Sequence, residues 1–244
     1  RTQVLAKWKD AKEKDTAGKT LTYSLGQFPA IAISFQGDIV ESVRIELAKP
    51  DKLDSLVAKL GLSDFTPAVA VDEFGQSHST CYPERGVTLS QAGPGGGAMA
   101  TDDASSARET EVNEMIVRRI TPGPFVLRAE RSPATAYAQR TADLQTALRL
   151  KAKNTKAQFL LSEVKLVTGK AISAEQLADQ ACRLEPGNDE YRLQWAKCLK
   201  QLARYEEAVE QTRMVLEGST ATLRVRAAAL EQMGQLAALG SKDV

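Results

Sequence analysis

The chain has 244 residues, 43% of them apolar and 26% charged, an ordinary globular composition with room for one large domain or two small ones. Through Arg131 it carries 16 basic and 18 acidic side chains, and beyond it 16 and 13, so neither half has the one-sided charge that draws a protein to nucleic acid or an anionic membrane. The three cysteines, Cys81, Cys182 and Cys198, include no CxxC pair, which argues against a disulfide framework.

No apolar run approaches the roughly 18 residues that span a bilayer. The chain opens on Arg1 without a charged-then-apolar signal. It reads as a soluble piece, compatible with a longer exported or anchored bacterial protein, and its compartment is left open.

In chain order, Thr2 to Lys14 places Val4, Leu5 and Trp8 at helical spacing. Residues 20–25 (TLTYSL), 30–36 (AIAISFQ) and 40–47 (VESVRIEL) alternate polar and apolar, as half-buried strands do, with Gly37-Asp38 as the turn between the last two. A second helix is expected over 53–62, with Leu53, Leu56, Val57 and Leu60 on one face, Pro50-Asp51 as its start and Gly61 as its stop. Alternating segments return in AVAVDE, SHSTCYP, GVTLSQ and VNEMIVRRI. Tyr82 then matches Tyr23, and VNEMIV (112–117) matches VESVRI (40–45).

This order divides residues 1–130 into a pseudo-duplicated α+β domain, halves 1–48 and 49–120, closed by a semi-rigid connector at 121–130 (TPGPFVLRAE) that holds the two domains nearly still. YPERGV, 82–87, reads as a turn: Pro83 presets φ, Gly86 accepts positive φ, and Glu84 and Arg85 are solvated at the tip. Tyr82, Glu84 and Arg85 are also a candidate partner-contacting corner.

The Gly- and Ser-rich stretch 91–111 is expected to be a mobile loop. Its Gly93, Gly95 and Ala98 satisfy GxGxxA, but no βαβ unit follows, and no GK[ST] closes a P-loop. A helix followed by a small curved sheet, occurring twice, resembles the tandem β-lactamase-inhibitor proteins and the single unit of small outer-membrane assembly lipoproteins. That resemblance implies a recognition sheet.

From Ser132 onward the β-branched runs give way to Ala, Leu, Gln, Glu, Lys and Arg, all good helix formers. Laid over itself so that Leu161-Ser162 falls on Trp195-Ala196, the sequence also brings Gly169 onto Ala203, Ala174 onto Ala208, and Ala181 onto Val215, with Pro186 closing the first unit. These residues, and their recurrence after about 34 residues, resemble the tetratricopeptide repeat.

The expected units are 155–188 and 189–219, a partial unit 220–244 whose first helix ends at Gly234, and a lone second helix at 135–151. Ala203 in place of glycine leaves the angle of the second unit unspecified. The resemblance implies a groove lined by the first helix of each pair: Lys156, Phe159, Glu163, Leu166 and Val167, then Glu190, Leu193, Lys197, Lys200 and Gln201. In relatives that clamp a terminal carboxylate, basic and asparagine side chains converge in this groove; here Phe159 and Glu163 face it from the first unit, and no such clamp is formed. Against a binding groove stands the plainer reading, in which the repeats dock on the first domain or extend a longer array.

His78 and Cys81 are three apart on a strand and point to opposite faces, a poor metal bite. The carboxylate pairs Asp72-Glu73, Asp102-Asp103 and Glu206-Glu207 are adjacent in sequence and diverge rather than converge on a cleft. The expected fold is therefore an α+β domain followed by an all-α repeat. The expected function is non-enzymatic binding of a protein or peptide, with no cofactor, metal, nucleic acid or membrane span. The alternatives are an enzyme inhibitor or regulator acting through the sheet and a hydrolase using His78 or Glu84.

Overall fold

The computed structural model describes residues 12–13, 19–26, 28–71, 77–91, 110–218 and 221–240. The chain divides into two compact units, Arg1–Leu127 and Arg128–Val244.

The first unit is an antiparallel sheet of strands β1 (Lys12–Glu13), β2 (Thr20–Leu25), β3 (Phe28–Gln36), β4 (Ile39–Lys52), β5 (Ala68–Val71), β6 (Ser77–Tyr82), β7 (Val87–Gln91) and β8 (Glu111–Arg118), with helix α1 (Leu53–Lys59) after β4. The strand order is β1-β2-β3-β4-β8-β7-β6-β5. The last strands of the two halves, β4 and β8, pair at the centre, with Val43 opposite Val117 and Ile45 opposite Met115.

Leu21, Ile33, Val43, Val117, Val87 and Tyr82 stand side by side across six strands, so one apolar row runs through both halves. Alternation does this: Ile31, Ile33 and Phe35 are buried while their neighbours are not. Leu53 and Leu62 from around α1 close over Tyr82, Leu89 and Val112.

Two boundaries differ from expectation. Lys12-Glu13 is a short, charged edge strand bonded to β2 rather than the end of a helix; the rest of the expected helix 2–14 lies outside the described residues. Strand β4 continues through Pro50 to Lys52, and the helix starts at Leu53. It can do so because its register against β8 jumps between Glu46 and Asp51, and a bulge accepts a proline that has no N–H to give. Gly61, at φ +64, ends α1 as expected, with the Leu62 N–H returned to Val57 O at 2.9 Å. The loop 91–111 and its GxGxxA fall almost wholly outside the described residues.

The helical unit holds α2 (Pro122–Arg131, entering it at Arg128), α3 (Tyr137–Leu150), α4 (Thr155–Val167), α5 (Ala171–Leu184), α6 (Asp189–Gln201), α7 (Tyr205–Glu217) and α8 (Leu223–Gly240). Helices α3, α5 and α7 start at even intervals, at positions 137, 171 and 205; α4, α6 and α8 keep the same interval, at 155, 189 and 223. The caps share the period. Asn154 and Asn188 accept backbone N–H bonds at the starts of α4 and α6, and the Thr222 hydroxyl does so for α8.

The expected connector is helical, so α3 has a first helix before it. Pro122 and Pro124 sit in the first turn, where a missing N–H costs nothing. Arg128 and Arg140 stand where the next unit has Ser162 and Ala174. Instead of close backbone approach, Arg128 makes a buried bidentate pair with Asp143, at 2.9 and 2.5 Å, and Arg140 Nε donates to Ala129 O at 3.0 Å.

At the other end α8 starts at Leu223, in step with α4 and α6, and passes through Gly234 instead of ending there. One helical glycine costs about 1 kcal/mol, and buried Ala229, Gln232 and Leu236 on either side hold the helix. Ala203 takes φ +57 where Gly169 takes φ +76. Its neighbours repeat the same bonds: Lys170 N to Lys165 O at 2.8 Å becomes Arg204 N to Leu199 O at 3.0 Å. The turn geometry is thus kept without glycine.

Candidate functional site: the inner face of the helical unit

Helix α4 approaches α6, and α6 approaches α8, whereas α5 and α7 do not approach each other in the same way. First helices therefore form the inner layer of this repeat and second helices the outer, because the inside of a curved stack is the more crowded. The inner layer carries every groove position read from the sequence.

Those positions divide into a packed floor and a solvent-facing set. Phe159 and Leu193, expected to be exposed, are buried at 4% and 3%. The Phe159 ring stacks on Tyr191 with centroids 4.9 Å apart and planes at 29°, and Leu193 packs on Val215 and Ala229. Both are used in joining successive helices. Tyr191 was invisible as a partner because only the stacking of α4 on α6 brings the rings together. Leu166 is half-buried against the cluster of Ala174, Ala178 and Cys198, on which Trp195 also packs, while Val167 is exposed.

Lys156 lies 5.4 Å over the Phe159 ring and 3.1 Å from Glu130. Burial opposes its charge, but the bond to Glu130 and the nearby Glu130 and Glu190 carboxylates hold its pKa above the usual lysine value. Glu163 is half-buried beyond it. Burial raises its carboxyl pKa against the opposing pull of Lys197 and Arg140. Among the described residues it makes no hydrogen bond or ion pair.

Glu190 and Gln201 are exposed, and Lys197 and Lys200 are half-exposed; Lys200 Nζ donates to Gln235 Oε1. The N-terminal ends of α6 and α8 border a cleft of about 600 Å³ that includes Pro186, Glu190 and Arg224. The C-terminal ends border another of about 500 Å³ that includes Lys200, Gln201, Tyr205 and Gln235.

In the sheet unit, Tyr82 is buried at 4% beside a buried Pro83, so the YPERGV turn is not a fully solvated tip. Glu84 is half-buried and interacts with its surroundings, and the exposed Arg85 guanidinium lies 4.9 Å over Phe65. Gly86, at φ +64, is fixed twice over. A Cβ there would come within 2.1 Å of Arg118 O, and the Arg118 N–H donates to Gly86 O at 2.8 Å.

The buried Cys182 and Cys198 thiols are pushed up to about 11 and about 12 by burial, far from the thiolate that a nucleophile needs. His78 is exposed. Among the described residues no cluster of His, Cys, Asp or Glu is arranged to hold a metal, and no helix is long and apolar enough to cross a membrane.

With its even helix period, its αL turns and its two-layer stack, the helical unit is tetratricopeptide-like. No family profile matches the sequence, and no curated protein matches it. Solved structures do. The chain is similar to the Arabidopsis OM64 tetratricopeptide domain (16% identity, TM-score 0.43, 47% of this chain and 93% of that one). It is also similar to the first such domain of Spaghetti (RPAP3), solved with the HSP90 peptide SRMEEVD (12%, 0.45, 50% and 94%). A third similar chain is the Yersinia enterocolitica secretion chaperone SycD, solved with a peptide of the translocator YopD (14%, 0.43, 49% and 92%). At these scores the likeness carries no argument, and both the repeat geometry and the reading of the site rest on this chain's own residues.

Proposed function

We propose that the protein is a binding scaffold whose helical unit lays an extended protein or peptide segment along the inner face of α4, α6 and α8. The reading is carried by the two clefts that flank the inner layer, one including Glu190 and the other Lys200 and Gln201. Lys197 lies between them along α6, and its charge reaches the half-buried Glu163 of α4, so polar groups are available along the path while Phe159 and Leu193 keep the floor rigid. Backbone groups of an extended segment pair with such side chains, and clefts at the ends take its larger side chains. The protein acts in this reading by surface complementarity rather than by turnover.

The test is a pull-down from the source cell with the full chain and with a Lys197→Ala, Lys200→Ala variant; Phe159 is left intact because it is floor. A partner held by the full chain and lost by the variant supports the groove. The same partner held equally by both moves the binding surface to the sheet unit and the Glu84-Arg85 corner, as an inhibitor acting through the sheet requires.

A further inference from the structure

We propose that the sheet unit holds a second, independent site: a receptor for an aliphatic carboxylate, in a cavity of about 520 Å³ beside α1. The cavity exists because β4 leaves β8 after Glu46: the stretch from Glu46 to Asp51 on β4 is matched only by the step from Glu114 to Val112 on β8. The bulge turns Leu47 and Ala48 out of the ladder. Bulges commonly re-aim side chains next to binding sites. Phe28, Leu47, Leu56, Leu60 and Met115 make an apolar lining, and the volume falls within the roughly 300–1,000 Å³ of small-molecule sites.

The rim gives the ligand its charge. Asp51 is held by Lys59 Nζ at 2.6 Å, by the Lys52 N–H at 2.9 Å and by the Ser55 hydroxyl at 3.4 Å, so its carboxylate and the Lys59 ammonium satisfy each other. Lys49, exposed on the same rim, has no ion pair or side-chain hydrogen bond among the described residues. A surplus positive charge at the mouth of an apolar cavity fits a ligand with an apolar chain and one anionic end. A polar anion would leave the apolar lining unfilled, and an alkyl cation would meet the like charge of Lys49. Nothing in this site draws on the helical groove.

The probe is dodecanoate below its micelle concentration, titrated into the full chain carrying isotope-labelled methionine methyls. Met115 lines the cavity, while Met214 and Met233 stand in the helical unit. The expected result is a saturable shift of Met115 without a shift of Met214 or Met233, with affinity about tenfold weaker for Lys49→Glu and for dodecanol, the loss of one charge-assisted contact. Lys49 is exposed, so its replacement leaves the fold intact. A Met115 signal that does not move or saturate, equal shifts of Met115, Met214 and Met233, or an affinity unchanged by Lys49→Glu would each overturn the proposal.

Discussion

Gly86 and Ala203 show what one backbone angle is worth. At Gly86 a side chain meets both a positive φ and the Arg118 carbonyl, so Gly86→Ala is expected to cost about 2–3 kcal/mol in chemical denaturation; a loss under about 0.5 kcal/mol, the range of an ordinary surface change, contradicts the close approach. At Ala203 the residue already bears the αL strain that Gly169 avoids. Ala203→Gly is therefore expected to stabilise by about 1 kcal/mol, after the entropy that glycine adds to the unfolded chain.

Glu163 gives a pH signature. Its folded pKa is raised, by burial first, so the protonated carboxyl favours the fold. That contribution is full below the unfolded glutamate value of about 4.3 and is lost as pH rises through the raised folded pKa. Glu163→Gln is expected to be more stable than the parent at about pH 7, with the difference closing below about pH 4. An unchanged or lower stability at neutral pH contradicts the desolvated placement.

The elements differ in how openly the sequence announced them. Strands β2, β3 and β6 to β8 were legible because alternation survives where one face of a sheet is buried. The true end of β4 was not, since a proline normally closes a strand and only the bulge against β8 lets this one pass. Helix α2 was hidden for two reasons: its prolines mimic a connector, and Arg128 and Arg140 replace the small residues by which a repeat is recognised. The buried Arg128–Asp143 pair that compensates joins two different helices, and nothing in either segment announces it. The caps at 154, 188 and 222 were legible in principle, as Asn or Thr recurring at the repeat interval before a helix. Asn188→Ala removes two backbone acceptances and is expected to cost about 1 kcal/mol, with the loss seen as faster amide exchange in the first turn of α6. Exchange unchanged there assigns the cap no energetic role.

At the scale of the whole molecule, the chain combines a continuous sheet shared by two halves with a repeat in which two of the positions expected to line the groove, Phe159 and Leu193, are buried. Periodicity specifies which helical positions face inward. It does not say that Phe159 is covered by Tyr191 and Leu193 by Ala229, because each cover comes from the next inner helix, one repeat further along the chain. In the proposed scaffold reading, the charged and amide positions Lys197, Lys200 and Gln201 are the ones left to meet a partner.

The most direct measurement is a peptide-display selection on the full chain, followed by affinities of the recovered peptides for the parent and for the Lys197→Ala, Lys200→Ala variant. Binding along the inner face predicts Kd values weakened about tenfold or more in the variant, as loss of central polar contacts requires. Peptides that bind parent and variant equally contradict it and place recognition elsewhere on the molecule.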